Sequence, residues 1–153
     1  QWGGGQEADL RAGTLPTPLI VGFAAAVQEA MADRDERHTR LTGLRDQLWN
    51  GLNDQLPAVE RNGAAAPRLA HNLNITLRGM SGSRLHRSLR PHLACSSGSA
   101  CSNGAPSHVL QALGRSRADA EASLRLSLGR GTTPAEIEQA IATIVEAVAA
   151  QQS

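Results

Sequence analysis

A change of hydrophobic period limits the fold more than any other feature of this chain. Apolar residues recur at helical spacing in two runs before Pro57: Leu19, Ile20, Phe23, Ala24, Val27 and Met31, then Leu41, Leu44, Leu48, Leu52 and Leu56. Spacings of three and four place each run on one face of a helix. Thr17-Pro18 reads as the start, with threonine capping and proline at the first helical position. One long helix, or two abutting ones, is expected as far as Pro57, and such a helix can connect two lobes. Residues 58–70 read as irregular.

The period then shortens. His71–Leu77, "HNLNITL", alternates polar and apolar and predicts a strand. After a turn at Gly79–Gly82, Ser81 or Ser83 caps a helix through Leu85 and Leu89. A short strand is expected at Leu93–Cys95, and a short helix, "PSHVLQAL", starts at Pro106 and stops at Gly114. "SLRLSL" at Ser123–Leu128 alternates strictly: Leu124, Leu126 and Leu128 share one face, and Ser123, Arg125 and Ser127 share the other. Thr133-Pro-Ala-Glu136 is a capping box. It opens a last helix with a stripe of Ile137, Ile141, Ile144, Val145 and Val148. The order of elements predicts an α/β fold, an α+β layer in which a small sheet carries helices packed against it.

Charge narrows the function. Net charge is +1, and the 15 basic residues are all arginines, scattered singly. No basic stripe suggests nucleic acid or an acidic membrane as partner. No apolar run approaches a membrane span, and no basic-then-apolar segment opens the sequence, so the expected location is cytoplasmic. The absence of lysine removes Schiff-base chemistry from these residues.

Three stretches carry chemistry. "ACSSGSACSNGA", residues 94–105, holds both cysteines in a run of serine, glycine and alanine. Such a run cannot build a core and reads as a loop able to move a thiol. Cys95, after Leu93 and Ala94, reads as a small buried hydrophobe. Cys101, between Gly98 and Gly104, reads either as an exposed nucleophile or as an incidental surface thiol. A disulfide between them is not expected in a reducing compartment. The spacing is not that of a zinc pair either, so no metal site is expected. "GGGQEADLRAGT", with Gly13 and the Thr14 hydroxyl, can hold a phosphate or make a tight structural turn. Arg125, in mid-strand, either meets an anion bidentately or lies on a solvated face. His71 and His108 are isolated, and His108 reads as a polar position on its short helix.

The order of "GGGQE…LRAGT", "SSGSACSNGAPSHVLQALG" and "LRLSLGRGTT" resembles the C-terminal portion of the pyridoxal-phosphate-dependent cysteine desulfurases of the NifS/IscS type, in the class-V aminotransferase family. The resemblance runs from Gly3 into the last helix, and its Cys region is like that of the subclass with a long mobile loop.

It implies the small C-terminal domain of a fold-type-I transferase, residues 17–153, preceded by a cofactor-side loop at residues 1–16. The implied reaction turns L-cysteine into L-alanine plus an enzyme persulfide, which serves iron–sulfur cluster assembly or thiolation. Cys101 matches the cysteine that becomes the persulfide. Arg125 matches the arginine that binds the substrate carboxylate. Thr14 matches the threonine that contacts the cofactor phosphate of the neighbouring subunit, which implies a homodimer. A sulfur-acceptor or scaffold protein is the implied partner. Asn72 matches a family position to which no role is assigned.

The lysine that anchors pyridoxal 5'-phosphate belongs to the family's preceding large domain and is not in this chain. The chain is therefore expected to be inactive alone, as a fragment or as half of a split protein. The segment from Cys101 to Pro106 is about two residues shorter than in bacterial members. Two other readings are a non-catalytic interaction module of the same descent and a selenocysteine lyase-like relative.

Overall fold

The computed structural model describes residues 3–96 and 105–152. Their contacts divide the chain into two compact units, Gln1–Glu36 and Arg37–Ser153.

The first unit is a loop followed by α1 (Thr17–Ala32). The helix begins one residue earlier than expected. Pro16 is the N-cap, Thr17 is already helical, and no side chain caps the end. Proline still serves here because its missing N–H falls where a first-turn N–H has no helical partner. No residue of α1 is buried, and Leu19, Phe23 and Met31 are exposed. In the loop, Glu7, Ala8 and Asp9 all take positive φ, between 54° and 64°.

The second unit contains the core. α2 (Arg34–Gln55) follows α1 after Asp33, so the expected helical stretch is two abutting helices. It buries Leu41, Leu44, Leu48 and Leu52, the stripe read from the sequence. β1 (Val59–Arg61), β2 (Asn72–Leu77) and β3 (Ser123–Ser127) form an antiparallel sheet in the order β1-β2-β3. The strand β1 falls in the stretch expected to be irregular. Three residues on a sheet edge are too few to show a period, and pairing with β2 defines them.

Between β2 and β3 lie α3 (Gly82–Leu89), α4 (His108–Ala112) and α5 (Arg117–Glu121). α5 was not anticipated, although Ser116 signals it. The Ser116 hydroxyl accepts from the Asp119 N–H at 3.1 Å and donates to the Asp119 carboxylate at 2.8 Å. α6 (Pro134–Gln152) closes the unit. Its capping box is formed: the Thr133 N–H donates to Glu136 Oε2 at 2.8 Å, and the Glu136 N–H donates to Thr133 Oγ1 at 3.3 Å.

Register fixes the two faces of the sheet. Leu73, Ile75 and Leu77 of β2 pair with Leu126, Leu124 and the neighbouring Ala122. This apolar face joins Leu48 and Leu52 of α2, Leu85 and Leu89 of α3, and Ile137, Ile141 and Ile144 of α6 in one core. Asn72, Asn74 and Thr76 share the other face with Ser127, Arg125 and Ser123.

Close packing pins α3 to the chain between α5 and β3. A methyl group built on Gly82 would lie 1.9 Å from the Glu121 carbonyl oxygen and 2.6 Å from its carbon. Backbone on both sides leaves no flexible atom to give way. Gly82→Ala is therefore expected to destabilise the chain by about 1–3 kcal/mol, the cost of overpacking. Chemical denaturation of the variant beside wild type checks this, and an unchanged midpoint would contradict the packing.

Candidate functional site

The site is built on the polar face of the sheet, around Arg125. Residues 122 and 128 are hydrogen-bonded to residues 77 and 71: Leu77 N–H donates to Ala122 O, and Leu128 N–H to His71 O. Antiparallel pairs alternate, so Asn74 and Arg125 form a non-hydrogen-bonded pair, with Cβ atoms about 4.5–5.5 Å apart. The backbone of Arg125 points away from β2. There Ser96 takes both groups: Arg125 N–H donates to Ser96 O at 2.7 Å, and Ser96 N–H to Arg125 O at 3.2 Å. The short strand expected at Leu93–Cys95 is thus a single bridge, one residue further on.

On the β1 side, Asn62 N–H donates to Asn74 O at 2.9 Å. Four side chains therefore stand in one row across the sheet: Asn62, Asn74, Arg125 and Ser96. The row leads to the segment that carries Cys101, which itself lies outside the described residues.

A hydrogen-bond network runs along the same face. Ser123 Oγ donates to Asp119 O at 2.7 Å and lies 2.8 Å from Thr76 Oγ1. Asn62 Nδ2 donates to Thr76 Oγ1 at 2.8 Å and to Asn74 Oδ1 at 2.7 Å. Asn62, Thr76 and Ser123 are 5%, 0% and 1% exposed, so satisfaction of these groups is required. Arg115 closes the network. Its Nε donates to Asn62 Oδ1 at 2.5 Å and its Nη1 to Glu60 Oε2. Hydrogen bonding from Arg115, with the charges of Arg78 and Arg115, holds the Glu60 carboxyl below its usual range against a smaller opposing effect of burial. Sequence alternation puts Ser123 on the face it shares with Arg125 without showing what covers it; in the structure Ser123 and Thr76 are both buried.

Arg125 differs from Arg115. It is exposed, and its guanidinium makes no hydrogen bond or ion pair with any described residue. An arginine anchored through its backbone on both sides, with its fork unpaired, can receive a planar anion.

Cys95 packs against the core, half-buried, and burial pushes its thiol above the ordinary range. Its Sγ lies 3.9 Å from His86 Nδ1 of α3. Burial holds His86 below its ordinary value, opposed in part by the nearby Ser123 backbone, although Nε2 has no hydrogen bond of full geometry. His108 opens α4, and Ser107 caps that helix.

Thr14 stands in the first unit and is exposed, with no hydrogen bond to a described residue. The glycines around it are less open than the sequence suggests. The Gly13 N–H donates to Gln6 Oε1 at 3.1 Å, and a methyl group on Gly3 would lie 2.7 Å from Ala12 Cβ. Gly13 keeps open space and a φ of 94°. The available donor at this loop is therefore the Thr14 hydroxyl more than a set of backbone amides. One hydroxyl of this kind fits one oxygen of a phosphate.

Among the described residues, no helix is long and apolar enough to cross a membrane, and no group of three or more His, Cys, Asp or Glu side chains could hold a metal ion.

Comparison with known proteins gives this arrangement a family. The model of the aminotransferase class-V family matches residues 4–140. The chain belongs to that family, and its fold is the α/β fold-type-I domain of the NifS-like proteins. Within it, the chain is similar to the cysteine desulfurase IscS of Shewanella piezotolerans, 44% identical over 95% of this chain and 36% of that protein. It spans little more than a third of the length of the curated relatives it matches. The solved NifS-like protein from Rickettsia africae superposes with a TM-score of 0.83 at 26% identity, over 96% of this chain and 39% of that one. A structure titled SspA in complex with cysteine aligns with a TM-score of 0.53 at 33% identity, over 82% of this chain and 34% of that one.

The His86–Cys95 pair gives a pH dependence of stability. A histidine whose folded pKa is depressed binds its proton more readily in the unfolded chain. Its contribution is complete above the unfolded value of about 6.5 and is lost as pH falls below it. Thermal stability is expected to fall from pH 7.5 to 5.5, and to fall less in His86→Gln. Equal pH slopes for the two proteins would contradict the burial of His86.

Proposed function

We propose that the full-length protein containing this chain is a pyridoxal-phosphate-dependent cysteine desulfurase, acting as a homodimer. Family membership supports the reading, and one structural observation carries it: Arg125, whose guanidinium has no partner among the described residues, is bridged through its backbone to Ser96, five residues before Cys101 in sequence. In this reading, a carboxylate-binding residue and the sequence leading to the reactive thiol are tied together at Ser96. The resolved relative in complex with cysteine fits the same substrate class.

In this reading Arg125 holds the carboxylate of L-cysteine through two parallel hydrogen bonds. Thr14 donates its hydroxyl to the phosphate of a cofactor bound by the neighbouring subunit. This chain contains no lysine, so the covalent anchor lies in the rest of the protein. When bound, pyridoxal phosphate supplies an electron sink that weakens the carbon–sulfur bond. Cys101 gives up its proton, and its thiolate attacks the substrate sulfur. A sulfur–sulfur bond forms as the carbon–sulfur bond breaks. The electron pair stays with carbon, which takes up a proton and leaves as alanine. The persulfide on Cys101 then passes its outer sulfur to an acceptor thiol or an iron–sulfur scaffold protein. The 153 residues alone neither anchor the cofactor nor complete this reaction, and a cytoplasmic location suits a thiol that must stay reduced.

Cys95 is the alternative nucleophile within the chain, and its surroundings argue against it. A thiol whose ionisation burial disfavours is a poor thiolate source at neutral pH. In the full-length enzyme, Cys101→Ser is expected to abolish persulfide labelling and alanine release, while the cofactor absorption still responds to cysteine. Cys95→Ala should keep most activity. Persulfide labelling of both variants checks this. Retained transfer in Cys101→Ser would overturn the assignment.

A further inference from the structure

The polarity of the network can be read outward from Arg115, and it ends in a donor beside Arg125. A guanidinium has no acceptor atom, so the Asn62 atom 2.5 Å from Arg115 Nε is its carbonyl Oδ1. The other terminal atom of Asn62 is then Nδ2, which meets Thr76 Oγ1 and Asn74. An amide nitrogen donates, so the Asn74 atom it meets, 2.7 Å away, is Oδ1. The orientation of the Asn74 amide follows from a residue two steps away. Its Nδ2 is the end left over, with N–H groups that donate to no described residue.

Position completes the argument. Asn74 is half-buried on the polar face and stands directly across from Arg125, in the closer kind of cross-strand pair. Glu60, on the same face, is occupied by Arg115 and Arg78. The neighbours of Asn74 and Arg125 along both strands are Asn72, Thr76, Ser123 and Ser127, all neutral. A guanidinium and an amide donor thus stand side by side with no carboxylate of the strands to satisfy them.

We infer that Asn74 is a second carboxylate-binding residue, whose Nδ2 donates to the amino-acid carboxylate held by Arg125. The inference rests on the carboxylate role proposed for Arg125. It concerns specificity: the pair selects an amino acid over an amine that lacks the carboxylate. Asn74 was not singled out in the sequence, where it is one polar position of an alternating strand.

The test uses the full-length, cofactor-loaded protein in a Cys101→Ser background, so that binding is read without turnover. L-cysteine and 2-aminoethanethiol, the same molecule without its carboxylate, are titrated against the cofactor absorption. Asn74→Ala removes the donor and leaves Asn62 Nδ2 its Thr76 partner. It is expected to weaken L-cysteine about 10- to 150-fold, the value of one hydrogen bond to a charged group, and to leave 2-aminoethanethiol within about twofold. Asn74→Thr suits a strand, lacks the amide, and gives the same pattern should the alanine variant fail to fold. Arg125→Ala is expected to lower the preference for L-cysteine without abolishing it. Asn74→Ala added to it should lower L-cysteine binding further, as a direct contact requires.

Equal loss for both ligands, or no loss, would overturn the inference. So would the absence of any further loss in the double variant, since Asn74 would then act only through Arg125. If Arg125→Ala leaves the preference intact, the carboxylate reading itself fails. If Arg125→Ala lowers it and the Asn74 variants do not, that reading stands and Asn74 has no part in it.

Discussion

The pairing of Arg125 orders the rest of the site. In β3 its side chain is directed to the polar face, while its backbone turns away from β2 and is taken by Ser96 on both N–H and C=O. Two consequences follow. The guanidinium is carried on a strand whose opposite face, through Leu124 and Leu126, is locked into the core. The start of the Cys101 segment is tied to the same residue. The strand that carries this guanidinium and the chain at Ser96, five residues before Cys101 in sequence, are thus joined by two backbone hydrogen bonds.

The buried network beside Arg125 gives that strand its polar footing. Burying Thr76 and Ser123 is costly unless each finds partners, and the chain from Asp119 O through Ser123, Thr76 and Asn62 supplies them. Arg115 and Arg125 show how context divides one residue type into two roles. Arg115 is consumed by Asn62 and Glu60 and holds structure. Arg125 is left with its fork unpaired among the described residues. The division is set by register and by helix α5 covering one end of the sheet, not by the identity of the side chain.

Much of this was legible in the sequence wherever period carries the signal. The stripe of Leu41, Leu44, Leu48 and Leu52, the alternation of Leu124, Leu126 and Leu128, and the Thr133–Glu136 capping box each reappear in the structure. The polar side of the sheet was less legible. Alternation tells which residues share a face but not what covers it, so the burial of Thr76 and Ser123 is not legible from it. β1 has three residues, too few for a period. The row of Asn62, Asn74, Arg125 and Ser96 is assembled from four separate segments by strand pairing, and no local spacing announces it. Glycine-rich loops also mislead: the glycines before Thr14 let that loop fold against itself, and Gly13 gives its N–H to Gln6. α1, with no buried residue, is an apolar helix in a chain that spans little more than a third of the length of its curated relatives.

The account turns on what the Arg125 guanidinium receives. A crystal structure of the full-length, cofactor-loaded Cys101→Ser protein with L-cysteine bound measures it directly. The expected result is two parallel N–H···O contacts of about 2.7–2.9 Å between Arg125 and the substrate carboxylate. A cysteine whose carboxylate is held by other residues, with Arg125 still turned to solvent, would contradict the account.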